Sequence, residues 1–309
     1  WCDLSVLSWQ EAADRIYEDQ LDILFDLGGH SAGSGLPLLA WRPAPVQISG
    51  LGYMFSTGMS AVDYFLTDKQ VDPPGTHEAY FSEKLLYLTS QFCYHPKSDL
   101  PCSKAAPCVQ NGFITFGVFN HYRKITDIML ESWRKILQRV PESRLLCKSQ
   151  VMVSPSAVDA AYRRFQAAGL PMERIDFEPA DTGYMYRYLE VDIALDTYPY
   201  PGGGTTCDAL YMGVPVITLY GERRGSRFGL DILQQLGLGQ LAVDSLEDYV
   251  EKAVALAGEP QVLSWLHQQL RQRMLASPLM DRRGYMRQLE QAYYHIIRAD
   301  RQRRAYGEF

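Results

Sequence analysis

Apolar positions in the second half of the chain fall into short continuous runs that alternate with helically spaced ones. The run from Phe113 to Phe119 is rich in β-branched and aromatic residues and predicts a buried strand. After a polar loop, Ile125, Ile128, Met129, Trp133, Ile136, Leu137 and Val140 recur at three- and four-residue spacing. A helix follows there, stopped by Pro141. Strand-like runs return at 143–149, 174–178, 191–196 and 215–220. Between them Ser156 is placed to cap a helix that Gly169 ends, and the aromatic stretch 184–189 reads as a short helix. Strands alternating with helices over short connections predict a parallel sheet covered by helices, an α/β fold.

The first hundred residues carry fewer such units. Residues 11–19 read as a helix, 21–27 as a strand entering the turn Gly28-Gly29-His30, and 46–49 as a second strand. The Pro-, Ser- and Cys-containing stretch 73–109 reads as a connection, which divides the chain into lobes 1–108 and 109–309. From about Ala276 onward, Tyr285, Leu289, Tyr293 and Ile296 recur at helical spacing. Arg282, Arg283, Arg287, Arg298, Arg301, Arg303 and Arg304 lie among them, so an amphipathic helix with solvated arginines closes the second lobe.

Composition narrows the partners. The 309 residues are 47% hydrophobic and 21% charged, with a formal net charge of −6, which gives no electrostatic reason to expect nucleic acid or an anionic membrane. No apolar run approaches the roughly 20 residues that span a bilayer, and Trp1-Cys2-Asp3 opens no signal peptide. The six cysteines form no C-x-x-C pair, which predicts free thiols and a cytoplasmic setting. Cys93, Cys102 and Cys108 near His95 match no common zinc spacing, so no metal is expected.

In an open parallel sheet, ligands bind beyond the carboxyl ends of the strands. The strand ending at Asp196 is followed by Gly202, Gly203 and Gly204, and then a helix beginning near Thr205. Glycines admit a bulky anion close to the backbone, and free N–H groups at a helix start point toward it. Thr205 and Thr206 add hydroxyl donors, and Asp208 can cap the helix or accept from a hydroxylated ligand. Lys124 stands near the start of another helix at the same sheet edge, where a cation is disfavoured unless an anion is present. The loop from Gly221 to Arg227 adds further arginines. Gly29-His30-Ser31-Ala32-Gly33 matches G-x-S-x-G, but Pro37 follows where a nucleophile elbow needs a helix. A diphosphate held by amides, Lys and Arg, with no metal, suits transfer reactions in which a diphosphate leaves.

These residues resemble the O-GlcNAc transferase family. The block "DTYPYPGGGTTCDALYMGVPV" from Asp196 is similar to its SPINDLY-like and bacterial branch. "DLGGHSAG" at 26–33, "RPAPVQ" at 42–47, "GYMFSTG" from Gly52, "FNHYRKI" at 119–125 and "ESWRKILQRVPESRLL" at 131–146 follow in the family's order. The resemblance implies a GT-B glycosyltransferase with two Rossmann-like lobes. It would transfer a sugar from a nucleotide diphosphate, such as a UDP-sugar, to Ser or Thr hydroxyls of a protein or peptide, with inversion and without a metal.

It places Lys124 and His121 on the donor diphosphate and Gly203, Gly204, Thr205, Thr206 and Asp208 on the sugar and diphosphate. The segment 180–187 lies on base and ribose, with Tyr184 replacing the family histidine and Arg187 retained. His30 matches the branch's "GH[TS]" and is the candidate catalytic group from the first lobe. The acceptor-side motif beginning at Gly52 carries Met54 where the family has proline. The animal His-Thr-Thr is absent, which leaves UDP-GlcNAc and GDP-fucose both open. The resemblance further implies that the first strands of an incomplete N-terminal lobe, and acceptor-presenting repeats, lie upstream or on a partner chain. Two other readings stand beside it: a GT-B enzyme acting on a glycan or small molecule, and a non-catalytic nucleotide-sugar-binding partner.

Overall fold

The structure is a computed structural model that describes residues 1–96 and 100–305. Its strands are β1 (Ile23–Asp26), β2 (Val46–Ser49), β3 (Tyr64–Asp68), β4 (Lys84–Leu88), β5 (Thr115–Val118), β6 (Arg144–Ser149), β7 (Ile175–Pro179), β8 (Ile193–Leu195), β9 (Val216–Leu219) and β10 (Ala242–Val243). The helices are α1 (Trp9–Glu18), α2 (Cys108–Asn111), α3 (Asp127–Arg139), α4 (Pro155–Ala167), α5 (Tyr184–Arg187), α6 (Gly204–Tyr211), α7 (Phe228–Gln235), α8 (Leu246–Ala257), α9 (Pro260–Ala276) and α10 (Arg282–Ala305). They form two compact units: Trp1–Cys93 with the chain from Asp281 onward, and Tyr94–Met280.

The first unit is a parallel four-stranded sheet in the order β1-β2-β3-β4. Alternation along β1 sends Ile23 and Phe25 to one face and Leu24 to the other. Leu24 packs with Ala12 and Ala13 of α1 and with Leu36, Leu38 and Leu39 of a short 3-10 segment, whereas Ile23 and Phe25 pack with Ile296 of α10. Leu289 of α10 joins Leu66 and Leu88 in the same way. The last helix therefore buries its apolar stripe against the first sheet and does not close the second lobe as its place in the sequence predicts. Strands β3 and β4 also went unread, and β4 lies inside the stretch taken as a connection. The chain passes between units at Cys93/Tyr94 and again at Met280/Asp281, not at 108/109.

The second unit holds a parallel six-stranded sheet in the order β10-β9-β8-β5-β6-β7. Trp133 on α3, Phe165 on α4, Phe116 on β5 and Tyr249 on α8 are fully buried around it. The cap of α4 is Ser154 with Pro155 at the first turn, so Ser156 sits one position inside the helix; Gly169, at φ +77°, makes the turn that follows. From β5 the chain winds outward through β6 and β7, then returns to place β8 on the other side of β5 and winds the opposite way through β9 and β10. The reversal falls between β5 and β8, the position where open α/β sheets form their ligand crevice. Among the described residues no helix is long and apolar enough to cross a membrane.

Candidate active site

The loops leaving β5 and β8 meet at this reversal. Asp196, one residue past β8, is 3% exposed, and its carboxylate is the hub of the loop. Oδ1 accepts from Asn120 Nδ2 at 2.9 Å, Thr197 N–H at 2.9 Å and Gly202 N–H at 2.7 Å. Oδ2 accepts from the Thr218 hydroxyl at 2.9 Å, with the Thr206 hydroxyl at 3.5 Å. Tyr249 of α8 donates to the Asp196 carbonyl at 2.8 Å. Burial raises the Asp196 pKa above the ordinary carboxylate value, opposed by these donors. The cluster fixes the Gly202 backbone where the chain turns into α6.

Lys124 arrives from the β5 side. Its Nζ donates to the Pro201 carbonyl at 3.0 Å and stands 3.7 Å from the centre of the Tyr200 ring. Burial lowers its pKa from the ordinary lysine value, with the nearby Asp196 acting the other way. Thr126 donates to the Tyr198 carbonyl at 2.9 Å, so the start of α3 grips the same loop. The structure thus places Lys124 against the Pro201 carbonyl, immediately before the three glycines.

No side chain caps α6: Gly203 is its N-cap, and the helix begins with backbone N–H groups and a positive dipole end. The glycines are not equivalent. A Cβ on Gly202 would come within 2.4 Å of the Thr205 hydroxyl and 2.5 Å of the Thr206 hydroxyl, whereas one on Gly204 would meet nothing within 4 Å. The Thr205 carbonyl accepts from Tyr188, whose ring stacks on Phe119 at 3.9 Å. A small cavity at this point is lined by Phe119, Asn120, Tyr188, Asp196, Thr205 and Thr206, among others.

Beyond the first turn of α6, Asp208 is held by two phenols. Tyr94 donates to Oδ1 at 2.7 Å and Tyr184 donates to Oδ2 at 2.8 Å. Tyr184, expected on base and ribose, therefore lies beside Asp208. Arg187 does not extend into that space: its guanidinium pairs with Glu178, at 2.7 Å from Oε1, and with Glu190. Glu178 and Asp181 also meet the buried Lys148, which ties α5 to the ends of β6 and β7. His121 is exposed, and its Nδ1 accepts from Arg123 N–H at 3.2 Å. Of the arginines in the 221–227 loop, Arg224 is buried against Phe228 and Arg227 donates to the Gly221 carbonyl at 3.2 Å. Sequence reasoning missed Asn120, Tyr94 and the organising role of Asp196. Only the last left a signal, an acid closing a buried strand ahead of a glycine turn.

The two first-unit candidates sit in turns. His30 is exposed; its Nε2 donates to the Thr57 carbonyl at 3.0 Å and its ring lies edge-on to Tyr53 at 5.1 Å. Gly52 presses on the turn after β1, where a Cβ would fall 1.7 Å from the Leu27 carbonyl oxygen. Glu83, which no motif marks, fastens the loop beyond it. It accepts from Thr57 N–H and the Ser56 hydroxyl, each at 2.7 Å. Among the described residues, no group of three or more His, Cys, Asp or Glu side chains is arranged to hold a metal ion.

Comparison with known proteins agrees with this architecture. The pattern of glycosyl transferase family 41 matches residues 1–101 and 95–289. The Petunia hybrida protein SPINDLY, named as a probable UDP-N-acetylglucosamine–peptide N-acetylglucosaminyltransferase, is 38% identical over 96% of this chain and 32% of its own length. The Arabidopsis thaliana protein SEC, named for the same activity, is 32% identical over 95% of this chain and 31% of its own. The structure of a mutant Thermobaculum terrenum O-GlcNAc transferase aligns with a TM-score of 0.90 at 32% identity, covering 98% of this chain and 58% of that one. The chain thus spans about a third of the length of the curated relatives it matches. Its parallel sheets and helices are those of the GT-B class of glycosyltransferases. On the family match and this identity, the chain belongs to glycosyl transferase family 41.

Proposed function

We propose that this chain is the glycosyltransferase module of an inverting, metal-independent enzyme that moves a sugar from a nucleoside diphosphate to Ser or Thr hydroxyls of protein. One observation carries the reading. At the sheet reversal, the Lys124 ammonium and the uncapped start of α6 converge on a glycine loop held rigid by Asp196. In the transfer, the acceptor oxygen bonds to the anomeric carbon as the carbon–phosphate oxygen bond breaks, and that electron pair stays on the departing diphosphate. Lys124 and the N–H groups of Gly203, Gly204 and Thr205 stabilise the charge, fixed in place before the reaction starts. The Thr205 and Thr206 hydroxyls add donors, and Asp208 accepts from a hydroxyl of the donor. His121 flanks the diphosphate, and Arg187 acts by holding α5 beside the nucleoside. His30 is the candidate to receive the acceptor proton. Its Nε2 is engaged with Thr57, which leaves Nδ1 as the basic nitrogen, and Gly52 shapes the adjoining acceptor-side turn.

The names of the relatives support UDP-GlcNAc as donor and a peptide as acceptor. Their greater length supports a part for an upstream repeat region or partner chain in selecting the acceptor. Six free cysteines support a reducing, cytoplasmic setting. The test incubates the chain with labelled UDP-GlcNAc or GDP-fucose, a Ser/Thr peptide library and a saccharide panel, with and without EDTA. Peptide labelling that survives EDTA is expected. Label on saccharides alone would move the acceptor class, and EDTA-sensitive transfer would remove the metal-free mechanism.

A further inference from the structure

Glu83, in the first unit, is 5% exposed, and its carboxylate partners among the described residues are all donors of one loop. Oε1 accepts from the Thr57 N–H at 2.7 Å and from the Thr57 hydroxyl, and Oε2 accepts from the Ser56 hydroxyl at 2.7 Å. A buried charge is costly unless it is hydrogen-bonded, so a carboxylate satisfied by these donors binds the loop firmly. The Ser56 oxygen carries the hold onward, accepting from the Gly58 N–H at 3.0 Å. The peptide joining Thr57 to Gly58 is thus fixed at its N–H end. Its other end, the Thr57 carbonyl, accepts from His30 Nε2 at 3.0 Å.

A second grip on His30 comes from its own turn. Asp26, at the end of β1, accepts from the Gly28 and Gly29 N–H groups at 3.0 and 2.9 Å and from the Ser49 hydroxyl at 2.8 Å. It fixes the backbone that carries His30, as Asp196 fixes the glycine loop of the second unit. Backbone and ring are therefore anchored by different carboxylates, and the ring's anchor is Glu83, reached through Ser56 and Thr57. An imidazole whose Nε2–H is committed to a carbonyl presents a basic Nδ1 in a set direction.

We propose that Glu83 is a positioning residue for removal of the acceptor proton. It holds the 56–58 loop so that the Thr57 carbonyl fixes the tautomer and direction of His30, whose Nδ1 takes the proton of the attacking Ser or Thr hydroxyl. The O–H bond breaks with its electron pair left on the oxygen that bonds to the anomeric carbon, and the proton ends on Nδ1 as imidazolium. The inference rests on the reading of His30 given above and adds a residue that acts on it through a loop. Glu83 itself touches no reacting atom.

The test is a double-mutant cycle on the full chain, with labelled donor and acceptor peptide and thermal unfolding run on each variant. His30→Ala should lower kcat by about 100-fold, the scale of losing a general base. Glu83→Ala should lower kcat by about tenfold with the donor KM held within about twofold, because the base is present but misdirected. The double variant should be no more than about twofold slower than His30→Ala, since the two residues act as one unit. Glu83→Gln should recover most of the loss, because its amide oxygen can still accept from the Thr57 N–H. Ser56→Ala cuts the hydroxyl between Glu83 and the Gly58 N–H, and should show the same pattern at about threefold even if Glu83→Ala does not fold. A second readout needs no turnover: solvent exchange of the His30 Nε2 proton, followed by nitrogen-edited NMR and assigned by its loss in His30→Ala. Exchange should be at least about fivefold faster in Glu83→Ala and near wild type in Glu83→Gln. Unchanged exchange in Glu83→Ala, or losses that multiply in the double variant, overturns the inference alone. His30→Ala at the wild-type rate would instead remove the reading of His30 as proton acceptor, and this inference with it.

Discussion

Removing the Asp196 carboxylate should loosen the glycine loop proposed to hold the donor, by an amount the structure allows to be estimated. Asp196→Ala leaves the N–H groups of Thr197 and Gly202 in a buried site with no acceptor, and neither backbone group can turn away. At about 1–3 kcal/mol per stranded donor the cost is roughly 2–6 kcal/mol; the Asn120 amide can rotate and adds less. Asp196→Asn is milder. Its amide oxygen can keep the three donors on Oδ1, and its NH2 meets the Thr218 hydroxyl, which can turn to accept. The assay is hydrogen exchange by mass spectrometry on peptides covering 196–206, with nucleotide affinity measured alongside. Exchange in Asp196→Ala should accelerate by about 30-fold or more, since 2 kcal/mol is about one and a half decades. Asp196→Asn should lie well below that. If alanine left exchange and affinity as in wild type, the carboxylate would not be what holds the loop.

The remaining expectations are separable. Gly202→Ala should impair nucleotide binding, because its Cβ would drive into the Thr205 and Thr206 hydroxyls, while Gly204→Ala should bind within about twofold of wild type; equal losses would contradict the packing. Because burial lowers the Lys124 pKa and the proposed mechanism requires the ammonium, kcat/KM should fall on the alkaline side at a pH below 10.5. Lys124→Arg should move that limb upward, and an unmoved limb would assign it to another group. Gly52→Ala should reduce soluble yield or lower thermal stability by about 3 kcal/mol or more, since a Cβ would overlap the Leu27 carbonyl; a stable variant would show that this turn can relax.

How much of this was legible in the sequence depended on the range of the interaction. The alternation in the second half was local, and β5, α3, β6, β7, β8 and β9 fall where periodicity put them. Lys124 and the glycine loop were recognisable because strand end, glycines and helix start are adjacent in the chain. Strands β3 and β4 were not, because Tyr64–Asp68 and Lys84–Leu88 flank a stretch dense in Pro73, Pro74 and Gly75 that reads as irregular. The apolar stripe of α10 was visible, but periodicity shows that a helix has a buried face and not which sheet covers it. Leu289 and Ile296 found β2 to β4, far back in the chain. The Tyr94–Asp208 bond spans 114 positions and joins a residue from an apparent linker to a helix, so no local pattern marks it. Arg187 shows the converse: a matched motif position fixed the residue, while two neighbouring glutamates decided what its guanidinium does.

The central claim is that Lys124 and the start of α6 hold a departing nucleoside diphosphate. Its most direct test compares wild type with Lys124→Ala and Lys124→Arg for binding of the nucleoside diphosphate product and for single-turnover transfer of labelled donor to peptide. Transfer should be lost by at least about 100-fold in Lys124→Ala, the scale of removing one fixed donor from developing charge, with weaker product binding and an intact fold. Lys124→Arg should recover part of both. Transfer by Lys124→Ala at the wild-type rate, with product bound equally well, would contradict it.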